Sequence, residues 1–156
     1  PLCLKIENMQ SKIIIKPFIL LMIFSVYSLK AQQSPPFETV TSFFEAFHQK
    51  DSITLSSFFD VNARVIFTSN NADGYPQKRS LNVKEFVIRV CEREDTPEWE
   101  ERLGKPAVIK HQNLATIWVP FKFYLGAEFS HSGYNLFQLF WDGKDWKIIL
   151  IADTRE

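Results

Sequence analysis

The sequence predicts an α+β fold: a bent antiparallel sheet forming a cone, with three helices from the N-terminal half packed on its concave face. Three observations carry this. Residues 114–155 form three long runs rich in β-branched and aromatic side chains, punctuated by Gly126 and by Asp142-Gly143, which reads as a meander with tight turns. Ahead of it, three short segments place apolar residues at helical rather than alternating spacing. Those helical stripes are built largely from phenylalanine, so rings must line the cone.

Taken in order, Ser34-Pro35-Pro36 is a short linker and a helix start. Val40, Phe43, Phe44 and Phe47 then fall at i, i+3, i+4 and i+7, one face of a first helix. Asp51 and Ser52 can cap a second, short helix whose apolar face is Leu55, Phe58 and Phe59. Residues 62–68 alternate, with Ala63, Val65 and Phe67 on one side, which predicts a first strand. The polar run 69–74 is a loop. Asn82 with Glu85 three residues on resembles a capping box, and the helix after it sets Val83, Phe86, Val87 and Val90 on one stripe. Residues 92–101 are highly charged and read as a solvated connection into an edge strand at 99–103. A further strand at 107–110 turns at Gln112-Asn113 into the meander. Helices gathered on one face of such a sheet are the layer arrangement of an α+β domain.

The N-terminal segment has a different character. The chain begins at Pro1 and its first methionine is Met9, so residues 1–8 are expected to precede the translated start. From Met9, Lys12 and Lys16 form a basic region and residues 17–27 an apolar stretch, with Ala31 placed for cleavage. That apolar stretch is shorter than the roughly 20 residues of a spanning helix. Residues 9–31 are therefore expected to be a signal peptide, with an uncleaved anchor as the alternative. On this reading, residues 32–156 form a single exported domain, periplasmic or secreted. Its 125 residues carry 14 basic and 17 acidic side chains, a formal charge of −3. A mildly acidic domain without a basic patch argues against nucleic acid and against an anionic membrane surface. Cys91 is the one cysteine beyond the leader, so an internal disulfide is excluded; closing an apolar helical stripe, it reads as a small core residue.

Few motifs carry chemistry. His48, His111 and His131 lack the spaced Cys, His or carboxylate partners of a metal site, so none is expected. No glycine-rich phosphate loop or dinucleotide fingerprint is present, and no cofactor is expected. Ser132 lacks the surroundings of a nucleophile elbow. His131 stands out because it opens a strand beside Gly133 and Tyr134, where it can face a ligand at the cone's mouth. In residues 133–141, one face takes Tyr134, Leu136, Gln138 and Phe140 and the other Gly133, Asn135, Phe137, Leu139 and Trp141. Either Gln138 or Asn135 then points inward, and a buried amide needs a partner. Asp153 and Arg155 follow at the end of the last strand, placed for an ion pair. Along 114–125 the odd positions are uniformly apolar and should face the helices, while Trp118 and Tyr124 fall on the outer face. Amphipathic aromatics there suit a homodimer interface, which would also cover the sheet.

The stretches FETVTSFFEAFHQKDSITLSSFF and FSHSGYNLFQLFWDGKDWKIILIADTR resemble the nuclear transport factor 2-like superfamily, and within it small exported bacterial proteins grouped as SnoaL-like and lumazine-binding-type domains. The most specific pieces are His131-Ser132-Gly133, Phe137-Gln138-Leu139 and the run from Gly143 to Ile148 that contains Trp146 and Lys147. The resemblance spans nearly all of residues 32–156 and implies the cone fold. Its enzymes (isomerases, dehydratases and cyclases) set polar residues inside an apolar cone. The isomerase trio of carboxylate base, tyrosine and protonated acid has no match by motif position here, whereas His131 and Asp153 supply the residue types of a dehydratase-like acid–base pair.

The expectation is thus an exported domain that binds a small, partly apolar molecule in a Phe-lined pocket, with Tyr134, Asn135 and Gln138 as ligand-binding residues. The alternatives are an enzyme using His131 and Asp153 as catalytic residues, and a non-catalytic dimeric interaction domain whose core is filled by its own side chains. A sealed core would favour the last. An open cavity holding a carboxylate or histidine with a strongly shifted pKa would favour the enzyme.

Overall fold

A computed structural model describes residues 35–156 of the chain; the expected leader at 9–31 lies outside the described residues. Helix α1 (Pro36–Gln49) begins with proline at its first position and ends where Lys50 adopts a left-handed conformation, φ 56°. Asp51 then caps α2 (Ser52–Ser57), accepting hydrogen bonds from the Ile53 and Thr54 amides at 3.1 and 3.0 Å. Strand β1 (Phe59–Asn70) and strand β2 (Pro76–Asn82) form a hairpin. Helix α3 (Val83–Cys91) starts with a complete capping box between Asn82 and Glu85. The remaining strands are β3 (Trp99–Leu103), β4 (Ala107–His111), β5 (Leu114–Leu125), β6 (Glu128–Trp141) and β7 (Trp146–Thr154). No helix among the described residues is long and apolar enough to cross a membrane.

The strands form one sheet in the order β2-β1-β7-β6-β5-β3, with β4 pairing the other half of β5. Two features differ from the expected sheet. It is mixed, because β1 runs parallel to β7 while every other pair is antiparallel. Helix α3 carries the chain from β2 to the far edge, and the meander folds back strand by strand until β7 arrives beside β1 in the same direction. The second difference is β2, whose segment PQKRSLN has no apolar alternation; it is held by backbone pairing to β1 and lies exposed at the sheet's edge. Polar and basic side chains are what such an edge tolerates.

The core lies between the helices and the concave face. Val40, Phe43, Phe44 and Phe47 from α1, Leu55 from α2, and Phe86, Val87 and Val90 from α3 pack on Val65, Ile117, Val119, Phe137, Leu139 and Ile148. Phe43 sits at its centre, 5.0 Å from Phe44 and 5.7 Å from both Phe59 and Phe137, edge to face in each case. Each such ring removed from water contributes about 2 kcal/mol. Cys91 is half-buried at the end of its stripe, and burial pushes its thiol pKa up.

Irregularities in the strands set the site. Between Gln138 and Leu139 the β6–β7 register slips by one residue on β7. Trp146 and Ile148 face inward before the slip, Ile151 and Asp153 after it. A second slip, between Phe123 and Tyr124, leaves Ser130 as an extra residue on β6 next to His131. At Gly133 the backbones of β6 and β7 approach so closely that a Cβ would overlap the Thr154 carbonyl.

Candidate functional site

Between the helices and the open end of the sheet lies a cavity of about 870 Å³. Its apolar wall is Phe43, Phe44, Phe47, Phe86 and Val90 from the helices with Val65, Phe137 and Ile151 from the sheet. A row of polar and charged side chains crosses the sheet beneath it. Arg79 on β2 faces Phe67 on β1, Phe67 pairs with Asp153 on β7, and Asp153 pairs with Asn135 on β6. The Asn135 amide then donates to Glu101 Oε1 on β3 at 2.5 Å.

Glu101 is the most perturbed group of the row. In WEERL, alternation directs Trp99, Glu101 and Leu103 inward and Glu100 and Arg102 outward, where those two form an ion pair at 2.6 Å. Burial pushes the Glu101 carboxyl up to about 7. The Asn135 hydrogen bond pulls it back and the Asp153 charge adds to the rise. Its backbone N–H donates to His48 Nε2 at 2.9 Å, tying α1 to β3. His48 accepts that bond as the neutral ring, and burial lowers its pKa accordingly.

Asp153 is 7% exposed. Its Oδ1 accepts from the Thr68 amide at 3.3 Å and its Oδ2 from Arg155 Nε at 3.2 Å, the ion pair expected from sequence. Burial nevertheless raises its pKa, against the pull of Arg155. His131 lines the cavity's other end, stacked on Phe123 at 5.0 Å and edge-on to Phe121 at 5.7 Å. Burial, with Arg155 second, lowers its pKa. His131 and Asp153 both line the cavity, but no hydrogen bond joins them among the described residues.

The open question of strand phase has a definite answer in β6. Gly133, Asn135, Phe137 and Leu139 are buried, so Asn135 is the inward amide. Tyr134 and Gln138, expected beside the ligand, are on the opposite face because each is an odd number of residues from Asn135. Tyr134 stacks instead on Trp118 at 5.2 Å, and Trp118 is 42% exposed. Tyr124 shares that outer face and lies under the Arg102 guanidinium at 4.1 Å. The described residues contain no cluster of His, Cys, Asp or Glu able to hold a metal ion.

Glu101 and the basic rim of β2 are the site residues that sequence reasoning missed. The signal for Glu101 was present: a carboxylate between Trp99 and Leu103 in a strand must share their face. For β2 no apolar pattern exists to read.

No family model matches the chain, and no curated protein matches it. Solved structures do. An NTF2-like protein of unknown function from Shewanella baltica OS155 aligns with a TM-score of 0.56 at 12% identity, covering 78% of this chain and 90% of that one. An NTF2-like protein from Cytophaga hutchinsonii ATCC 33406 aligns at 0.59 and 11%, covering 77% and 94%. An NTF2-like protein with a cystatin-like fold from Novosphingobium aromaticivorans aligns at 0.59 and 10%, covering 76% and 77%. The chain has the nuclear transport factor 2-like fold, as the resemblance of its first helices and its last strands implies.

Proposed function

We propose that the protein is an exported binding domain for a small, partly apolar molecule. The observation that carries this reading is the open cavity of about 870 Å³, walled by phenylalanines and floored by a few convergent polar groups, the usual make-up of a small-molecule site. An open cavity also speaks against a core filled by its own side chains. Export rests on the Lys–apolar–Ala segment at 9–31. The test is native mass spectrometry of protein purified from its own host. A retained small molecule that is lost on Phe137→Trp substitution supports the reading; a ligand-free protein that binds no member of a diverse apolar library overturns it.

A second reading, proton transfer on the bound molecule, is favoured by Glu101. Its carboxyl exchanges a proton near neutral pH, faces the cavity, and is oriented by Asn135. In this reading Glu101 takes the acid–base role first assigned to His131 and Asp153. Asp153 is already engaged by Arg155 and Thr68, and His131 by its packing on Phe121 and Phe123.

A further inference from the structure

Positive charge gathers at one end of the cavity. Residues 35–156 carry 14 basic and 17 acidic side chains, yet the cavity is lined by Lys78, Arg79, Arg89 and Arg155 against only Glu101 and Asp153. A domain that is acidic as a whole therefore concentrates positive charge around one opening. Asp153 is matched by Arg155 at 3.2 Å. Lys78, Arg79 and Arg89 form no ion pair among the described residues.

The positions are specific. Arg79 lies over the Phe67 ring with its guanidinium carbon 5.5 Å from the centroid, and Arg155 lies over the same ring at 5.1 Å. Two guanidiniums thus converge on one ring, and Asp153, paired with Phe67 across the sheet, already engages Arg155. Arg89 on α3 lines the same cavity. Like charges held together at the mouth of an apolar cavity favour an anion entering between them, because field lines are focused there and guanidinium groups hold oxyanions by paired hydrogen bonds. Behind this rim the walls are phenylalanine, which no free inorganic anion would use.

We propose that the ligand is an amphipathic oxyanion. Its aliphatic or aromatic body lies among Phe43, Phe86 and Phe137, and its carboxylate or phosphate head sits at Arg79, with Arg89 beside it. This rests on the binding reading above and adds the ligand's class and orientation. The protonated form of Glu101, at the far end of the polar row, keeps negative charge away from the body of such a molecule and leaves a hydrogen-bonding group for its distal end.

Titration calorimetry with four molecules that share a ten-carbon chain tests the proposal: decanoate, decyl phosphate, decan-1-ol and decyltrimethylammonium, all below their aggregation limits. One of the two anions should bind about tenfold or more tighter than the alcohol, with the cation weakest, and the better anion identifies the head group. Added salt should shrink that preference. Arg79→Gln and, separately, Arg89→Gln should each reduce anion affinity while leaving the alcohol's unchanged. Equal binding of anions and alcohol, tighter binding of the cation, or an anion preference that survives both substitutions overturns the proposal but leaves the cavity reading standing. No binding by any of the four overturns the proposal, and the diverse apolar library then decides the cavity reading.

Discussion

Glu101→Gln should stabilise the protein, and the gain should depend on pH in a way that only a buried, reluctant carboxylate explains. The folded state raises the pKa of Glu101 from 4.5 to about 7, with burial as the main cause. The folded protein therefore holds this proton more tightly than the unfolded chain does. Stability from the group is complete below the unfolded value of 4.5, drains away as pH rises towards about 7, and stays lost above it. The gap of about 2.5 units between the two values corresponds to about 3 kcal/mol. Glutamine cannot ionise, and its carbonyl oxygen can still accept from the Asn135 amide as Glu101 Oε1 does. The variant should then exceed the wild type by less than about 1 kcal/mol near pH 5 and by about 3 kcal/mol near pH 8. Urea unfolding followed by tryptophan fluorescence at the two pH values measures the difference, with Trp146 and Trp99 as buried and half-buried reporters. An advantage that is the same at both pH values would show that the carboxyl is ordinary. A disadvantage that deepens with pH would show that the ionised form is the one the fold selects. If the variant is more stable and yet loses proton-transfer activity or ligand affinity, Glu101 is a functional group kept at a cost in stability.

Two further outcomes are expected. The outer sheet face, where Trp118 and Tyr134 stack in the open, is proposed as the surface on which two copies pair. Trp118→Asp should then give monomers in sedimentation, since burying an unpaired carboxylate there costs several kcal/mol, whereas unchanged sedimentation would remove the interface from this face. Gly133→Ala should destabilise the domain by about 3 kcal/mol, because its Cβ would enter the space of the Thr154 carbonyl and force β6 and β7 apart. A loss near zero in urea unfolding would show that the two strands separate freely.

The sequence makes legible whatever burial writes as a repeat. The stripe Val40, Phe43, Phe44, Phe47 and the odd positions of β5 are apolar because each faces the same core, and the Asp51 and Asn82 caps are legible because they satisfy amides within three residues. The polar floor of the cavity has no such repeat. Arg79, Asp153, Asn135 and Glu101 come from four strands and meet only through pairing across the sheet. Some of that arrangement was nonetheless within reach. His131 and Tyr134 are three residues apart in one strand and cannot share a face, so a single site containing both was excluded by alternation alone. The hidden element is the slip in β7. Strict alternation from Trp146 and Ile148 would bring Leu150 and Ala152 inward and turn Asp153 outward to solvent. One extra residue before Leu150 reverses that, and it carries Asp153 into the cavity beside Asn135. The bulge thus brings a carboxylate close to Glu101, where its charge helps hold the Glu101 proton near neutrality. A one-residue irregularity in an apolar strand, silent in composition and in period, separates a sheet that merely closes a core from one that holds a titratable group inside a cavity.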